Sequence, residues 1–519
     1  MVALPAPAVT RNVVVLGASY AGEPTPSLIL RRASSELTAP QPTLAPTGAR
    51  AAELLSRTLP PTHRVVVIDR QSHFNLLALT LSSPPPSSDL YLHPRVTVVP
   101  GHSAKTFIPY TGVLPTDASA TTDTTTLPLS NQARHVVIHA AVTALHEDYI
   151  ELDRDLLEHE RDLEGEAEEV EKLTEELEAA RLDAAPKDKK AATRRLSWEY
   201  MVYALGCQLP PCLTSQSRTK KDGVAFLEAR GANIKRASKI LIAGGGALGI
   251  QFASDIADLY NNPDNVAHLN LAEGEAPPPK KRITLVHSRD RFLPMYKQEM
   301  HDEITRRLEL LGVEVLLGER LQLPPQEDDE PGVTKTIKLG NGQELDYDLL
   351  LRCTGQKPNS QVFREWMPEA LDEWGFVKIR PTLQVDVESV PGADKLSEKL
   401  RRNIYSIGDV AAAGVIKAGH TGWNQAGVAV QNIMCCIETD ALNSLAPNGE
   451  AAEEPKLVEY ERSPPQIKVT LGLQHSATEM CKEMGDQETH FATGDEGPID
   501  GHYAMVWERM GADPTDYTI

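Results

Sequence analysis

The chain has 519 residues, of which 41% are hydrophobic and 24% charged, and a formal net charge of -21. That is enough chain for about two to four domains with a sizeable core, and the acidic balance disfavours a nucleic-acid partner, which needs clustered Lys and Arg. Six cysteines, Cys207, Cys212, Cys353, Cys435, Cys436 and Cys481, are too scattered for a disulfide framework or a zinc site, so we expect no metal and a cytoplasmic setting. No apolar run reaches the length of a membrane span, and Met1-Val2-Ala3-Leu4-Pro5 lacks an apolar leader, so no transmembrane segment is expected. Peripheral contact with membranes or lipid droplets stays open, as does oligomeric state.

In chain order, "RNVVVLGASYAG" is a β-branched run ending in the turn Gly17-Ala18-Ser19-Tyr20-Ala21-Gly22. Ser19 stands where a dinucleotide fingerprint has its central glycine and adds a side chain where backbone should approach phosphate. The next strand, "HRVVVID", ends in Asp69 followed by Arg70. Asp69 lies 69 - 22 = 47 residues beyond Gly22, whereas a ribose-binding acid belongs about 20 residues past the glycines. Treating the proline-rich residues 23–48 as an insertion removes 26 and leaves 47 - 26 = 21, and it joins the turn directly to a helical pattern at Ala49.

"RHVVIHAAVTALHEDYIELD" reads as adjoining strands, and residues 155–195 as a charge-dense helical run. Val170, Leu173 and Leu177 give that run a thin apolar stripe. It fits a solvated helical insertion better than a partner-binding coiled coil, which needs about three or four heptads. "YMVYALG" follows, a strand ending in Gly206.

A second unit then repeats the first grammar: "SKILIAGGGALGIQFASDIADLY" carries Gly244, Gly246 and Gly249 between a strand and a helix. Either these glycines bind a pyrophosphate at the helix N-terminus or they make a tight structural turn, and their context favours the former. The following strand ends in His287, Ser288, Arg289, Asp290 and Arg291. With no acid at the expected end and Arg289 nearby, this leans to NADPH over NADH, although a stretch at 261–280 blurs the register. "TKTIKLGNGQELDYDLLLRCTG" predicts a hairpin turning at Gly340-Asn341-Gly342, then a buried strand ending at Gly355. "NIYSIGDVAAAG" is a strand ending in Gly408-Asp409 before a helix, and the tail from "IKVTLGLQHSA" onward reads as a small α+β module.

Together and in this order the motifs resemble the pyridine-nucleotide oxidoreductases whose FAD domain is split around an NAD(P)H domain, over roughly residues 11–435. In closer detail "VVVLGASYAG", "IDRQSHFN", "VVPGHSAKTFIPYTG", "GGGALGIQFASDIADLY" and "SIGDVAAAGVIKAGHTGWNQAGVAVQNI" resemble the fungal apoptosis-inducing factor 2 or ferroptosis-suppressor-like NAD(P)H:quinone reductases. The implied fold is α/β: two Rossmann-like dinucleotide-binding domains plus the small α+β C-terminal module. Its implied division is 1–230 and 349–440 for the FAD domain, 231–348 for the NAD(P)H domain and 455–519 for the module. The resemblance also marks residues 76–88 as a second insertion.

It further implies FAD contacts at Gly17, Ser19, Gly22, Asp69 (adenosine ribose), Arg70, Val142 (adenine, through its backbone), Gly206, Gly355, Gly408 and Asp409 (ribityl chain). The helix after Gly408 would aim its positive end at the flavin ring. Lys417 and His420 are candidates for contacting flavin or acceptor, or else ordinary surface groups at a helix start. The chemistry is flavin-based, with no general base named: hydride passes from NAD(P)H to FAD and electrons leave to a quinone or similar small acceptor. A redox-responsive signalling protein with little turnover is the alternative. Cys207 and Cys212 have the spacing of a redox dithiol, but their position after "YALG" makes them incidental thiols.

Overall fold

Two β-branched runs become the centres of two parallel sheets. The computed structural model describes residues 11–17, 47–75, 78–81, 88–91, 93–110, 113–114, 134–157, 160, 193–208, 217–324, 331–355, 357–445, 454–482, 486–495, 499 and 503–517. Ser19, Gly22, Cys212 and most of the 23–48 and 155–195 segments therefore lie outside the described residues.

The first sheet is built on β1 (Arg11–Leu16), followed by helix α1 (Thr47–Thr58), β2 (His63–Asp69), the short helix α2 (His93–Val98), β3 (Val136–His139) and β4 (Tyr200–Tyr203). With the later strand Ile404–Ser406 at its edge, it has five strands, and every neighbouring pair is parallel. Both faces are covered, as βαβ crossovers require. Val13, Val15, Val65 and Val67 pack with Ala51, Leu55 and Trp423 on one side. Val14, Leu16, Val66 and Ile68 pack with Trp198 and Phe363 on the other. The period-2 alternation of a strand assigns each valine to its layer.

The second sheet contains β5 (Lys239–Ala243), helix α3 (Ala247–Asn261), β6 (Arg282–His287), helix α4 (Gln298–Leu310), β7 (Glu314–Leu317) and β8 (Leu349–Arg352). It is four-stranded and parallel throughout, in the order β7-β6-β5-β8. The strand assigned above to the later FAD segment, Leu349–Arg352, is thus hydrogen-bonded to β5. The border drawn between 348 and 349 moves beyond Arg352, because parallel pairing with β5 outweighs the strand's place in the chain. The expected hairpin forms between Lys335–Lys338 and Glu344–Tyr347, with Gly342 at φ 90° in its turn.

The chain then returns to the first sheet with β9 (Ile404–Ser406) and the long helix α5 (Gly419–Leu445). Only a single 3-10 turn, Gly408–Val410, follows β9 directly, so the helix expected right after Gly408 begins 419 - 408 = 11 residues later. The tail forms an antiparallel sheet, β10 (Ile467–Thr470), β11 (Ser476–Cys481) and β12 (Thr489–Gly494), and helix α6 (Tyr503–Arg509). Val469, Leu471 and Ala477 of this tail join the core around α3, while Tyr503, Val506 and Trp507 join the core around α1. The tail therefore bridges both dinucleotide folds. Part of the expected second insertion, Ala78–Leu81, is a strand paired with Ser88–Tyr91.

Candidate functional site: two glycine turns

In the second sheet each fingerprint glycine meets a different constraint. Gly244 has φ 111°, and a Cβ there would sit 2.7 Å from the Cys353 carbonyl oxygen and 2.8 Å from Thr354 Cγ2. A Cβ on Gly249 would lie 1.8 Å from the Gly244 carbonyl oxygen, so helix and turn close on each other only if this residue is glycine. Gly246, the N-cap of α3, would meet nothing within 4 Å. Its open side leaves room beside the first N–H groups of the helix, which have no intrahelical acceptor. The Gly244 N–H itself donates to the Val286 carbonyl at 2.8 Å, tying the turn to the end of β6.

The first sheet repeats the arrangement. Gly17 has φ 84°, its N–H donates to the Ile68 carbonyl at 2.8 Å, and a Cβ would meet the Ala204 carbonyl oxygen at 2.8 Å. Gly17 thus abuts the "YALG" turn ending at Gly206 (φ 64°), as Gly244 abuts the "RCTG" turn ending at Gly355 (φ 75°). The two strand-turn motifs occupy equivalent places in the two folds. Helix α1 opens on Thr47 and Gly48, both buried. Gly48, at the described helix start, precedes Asp69 by 69 - 48 = 21 residues, while Gly22 lies outside the described residues.

Asp69 ends β2 half-buried. Its Oδ1 accepts the Gln71 N–H at 2.8 Å, and the buried Tyr110 hydroxyl hydrogen-bonds to it, its pKa pushed up by burial and by the Asp69 charge. Two donors hold this carboxylate at the strand end. Arg70 beside it is exposed. Val142 is half-buried at the start of the strand Val142–Leu145, next to a register irregularity.

Gly408 (φ 75°) brings the third part together: a Cβ would meet Thr47 Oγ1 at 3.1 Å, so β9 ends against the start of α1. The Gly408 N–H donates to Gln425 Oε1 of α5 at 2.7 Å, and the Asp409 carbonyl accepts from the Cys207 thiol at 3.2 Å. Neither Lys417 nor His420 is an exposed surface group. His420 is buried in the first turn of α5, and Lys417 Nζ lies 4.3 Å from the centre of the Phe376 ring while donating to the Ala411 carbonyl. Burial pulls the Lys417 pKa down, opposed chiefly by the Asp409 charge. Cys207 is free and half-buried, its thiol pushed up to about 12 by burial and by Asp409, the opposite of an activated thiolate. Arg289 is exposed.

Sequence reasoning missed Tyr110, Phe376 and His287. Tyr110 lies within the "VVPGHSAKTFIPYTG" stretch without having been singled out, and Phe376 comes from a segment without a motif. His287 stands where an acid was sought, and its Nδ1 accepts the Gly245 N–H at 3.1 Å. Among the described residues no group of three or more His, Cys, Asp or Glu could hold a metal ion, and no helix is long and apolar enough to cross a membrane.

Two parallel sheets, each with a glycine turn closed on a strand-turn motif, define an oxidoreductase fold with two dinucleotide-binding halves. Residues 95–432 match the pyridine nucleotide-disulphide oxidoreductase family, and the chain belongs to it. It is similar to Fe-regulated protein 8 of Mycosarcoma maydis, with 31% identity over 98% of this chain and 96% of that protein. It is also similar to ferroptosis suppressor protein 1 of Homo sapiens, 26% identical over 49% of this chain and 60% of that protein. Apoptosis-inducing factor homolog B of Dictyostelium discoideum is 22% identical over 56% and 69%. A ferredoxin reductase from Rhodopseudomonas palustris shares the fold, with TM-score 0.50 and 12% identity over 91% of this chain and 82% of that one.

Proposed function

We propose that the protein is an FAD-dependent NAD(P)H oxidoreductase delivering electrons to a quinone or similar small acceptor. The observation that carries this is the pair of equivalent glycine turns, one per sheet, with Gly246 open toward a helix N-terminus while Gly244 and Gly249 admit no side chain. Bound FAD would accept hydride from the nicotinamide and release electrons to the acceptor.

Each residue's part is positional or electrostatic. The first N–H groups of α3, behind Gly246, would meet a pyrophosphate, while Gly244 and Gly249 let the turn close on the helix. Gly17 and the α1 start would do the same for FAD, with Asp69 turned to its adenosine ribose, Val142 and Gly206 beside the adenine half, and Gly408-Asp409 toward the ribityl chain. Lys417, over the Phe376 ring and bonded to the Ala411 carbonyl, would supply positive charge where reduced flavin would carry negative charge. Arg289, exposed beyond β6, would meet a 2'-phosphate, which favours NADPH. Residues 1–230 with the later segment through 440 would form the FAD half, and 455–519 the joining module.

The purified protein is expected to show flavin absorbance and to oxidise NAD(P)H faster when a soluble quinone is added. Flavin bands with stable nucleotide binding and negligible turnover would instead favour a redox-responsive signalling role. Absence of flavin bands after reconstitution with FAD would overturn both.

A further inference from the structure

Gly245, between the first two fingerprint glycines, rests on a small stack of rings. A Cβ there would lie 2.7 Å from Phe292 Cε1 and 2.9 Å from both Cβ and Cγ of His287. The His287 and Phe292 rings stack with centroids 5.8 Å apart and 15° between planes. Phe292 in turn donates its N–H to His301 Nδ1 at 3.1 Å, fixing the loop between β6 and α4. The Gly245 N–H reaches His287 Nδ1 at 3.1 Å, so Nδ1 must be the unprotonated acceptor and Nε2 must carry the ring proton.

We propose that His287 is a positioning residue for the dinucleotide loop: its neutral imidazole holds Gly245 in place, and acid, by protonating Nδ1, releases the loop and weakens nucleotide binding. Protonation would set an N–H donor against the Gly245 N–H donor. It would also place a positive charge on a buried ring beside the Arg289 guanidinium. The charged and titratable groups around it are Arg289 and Arg291 on its own loop, Glu319 after β7, and His301 of α4 behind Phe292. Glu319, whose N–H donates to the His287 carbonyl at 3.0 Å, accepts from Asn341 at 2.8 Å. Burial and the Arg289 charge, opposed by a hydrogen bond to the Arg291 backbone, hold the imidazole below its ordinary range, so the neutral form prevails at neutral pH and is lost on acidification.

This inference rests on the reading of Gly244–Gly249 as a nucleotide site, and the test separates the two. Isothermal titration of the flavin-loaded full chain with NAD+ and NADP+ would run from about pH 8 to about pH 4.5, through and below the ordinary titration range of histidine, because the His287 imidazole is held below it. For the wild type we expect a constant Kd at the upper end and a rise of about threefold to tenfold at the lower, the size of one lost hydrogen bond. His287→Gln, which keeps an acceptor without a titrating ring, should flatten this dependence. His287→Phe should raise Kd by a similar factor already at neutral pH, with flavin absorbance unchanged. NAD+ is the decisive ligand because it lacks the 2'-phosphate, which titrates itself. A flat wild-type profile, or a His287→Gln profile as steep as the wild type, overturns the role of His287 while leaving the site intact. Failure of either nucleotide to bind the wild type at any pH overturns the site itself.

Discussion

At the residue scale the firmest constraint is Gly249, whose missing side chain lets the turn and α3 close to a Cβ-to-oxygen distance of 1.8 Å. No rotamer relieves a backbone conflict of that size, so Gly249→Val should abolish NAD(P)H binding while flavin absorbance persists, read by nucleotide titration and visible spectroscopy. Cys207 gives the opposite kind of expectation. With its thiol pushed up to about 12, it should resist iodoacetamide near neutral pH in the native protein and react after denaturation, as thiolate fraction and access together dictate. Cys207→Ser should leave flavin reduction by NAD(P)H intact. Rapid loss of activity on native alkylation at Cys207 would revive a redox role. The glycines were legible in the sequence because their spacing encodes a local need. Tyr110, Phe376 and His287 were not, since their partners Asp69, Lys417 and Gly245 are distant in the chain.

At the scale of elements, α2 and α3 meet through a buried ion pair. Arg95 Nε and Nη2 donate to the Asp255 carboxylate at 2.9 and 3.0 Å, and Nη1 and Nη2 also reach the Leu473 and Gly472 carbonyls at 2.9 and 2.8 Å. Burial pushes the Asp255 carboxyl up and Arg95 opposes it. Removing the guanidinium strands that carboxylate, so Arg95→Met should cost about 3 to 5 kcal/mol in chemical denaturation. Double replacement of Arg95 and Asp255 by apolar residues should cost less. The start of α1 carries a second expectation. Deleting residues 23–48 leaves one glycine ahead of Ala49, and the product is the same whether that glycine is called Gly22 or Gly48. Direct joining of turn to helix brings the phosphate site under the helix N-terminus, so FAD should bind more tightly than to the full chain, measured by flavin fluorescence titration.

At the scale of the whole molecule, the tail holds the two folds together. Val469 and Leu471 lie in one core and Trp507 in the other, with Trp507 Nε1 donating to the Lys105 carbonyl at 2.8 Å. Truncation before residue 455 should expose both apolar surfaces and turn a single thermal transition into separate ones, seen by calorimetry, because each fold keeps its own parallel sheet. Stability should also depend on acid. His63, at the start of β2, has its pKa lowered to about 4 by burial and by the charges of Arg11 and Arg134. The unfolded chain therefore binds the extra proton first, so this contribution is intact above about pH 6.5 and is lost as pH falls toward 4. His63→Gln should flatten the fall of Tm with acid across that window.

The sequence by itself determined the two-sheet α/β architecture, the fingerprint glycines and the acid ending β2. Each of these is written in local periodicity or in spacing that a βαβ unit enforces. Tertiary structure decided what spacing cannot carry. Leu349–Arg352 joined the second sheet because β5 offered a parallel partner. The tail divided its apolar residues between two cores, and Lys417 and His420 were drawn inward. A histidine took the place where an acid was sought, because the glycine turn's N–H there needed an acceptor that only folding brings within reach.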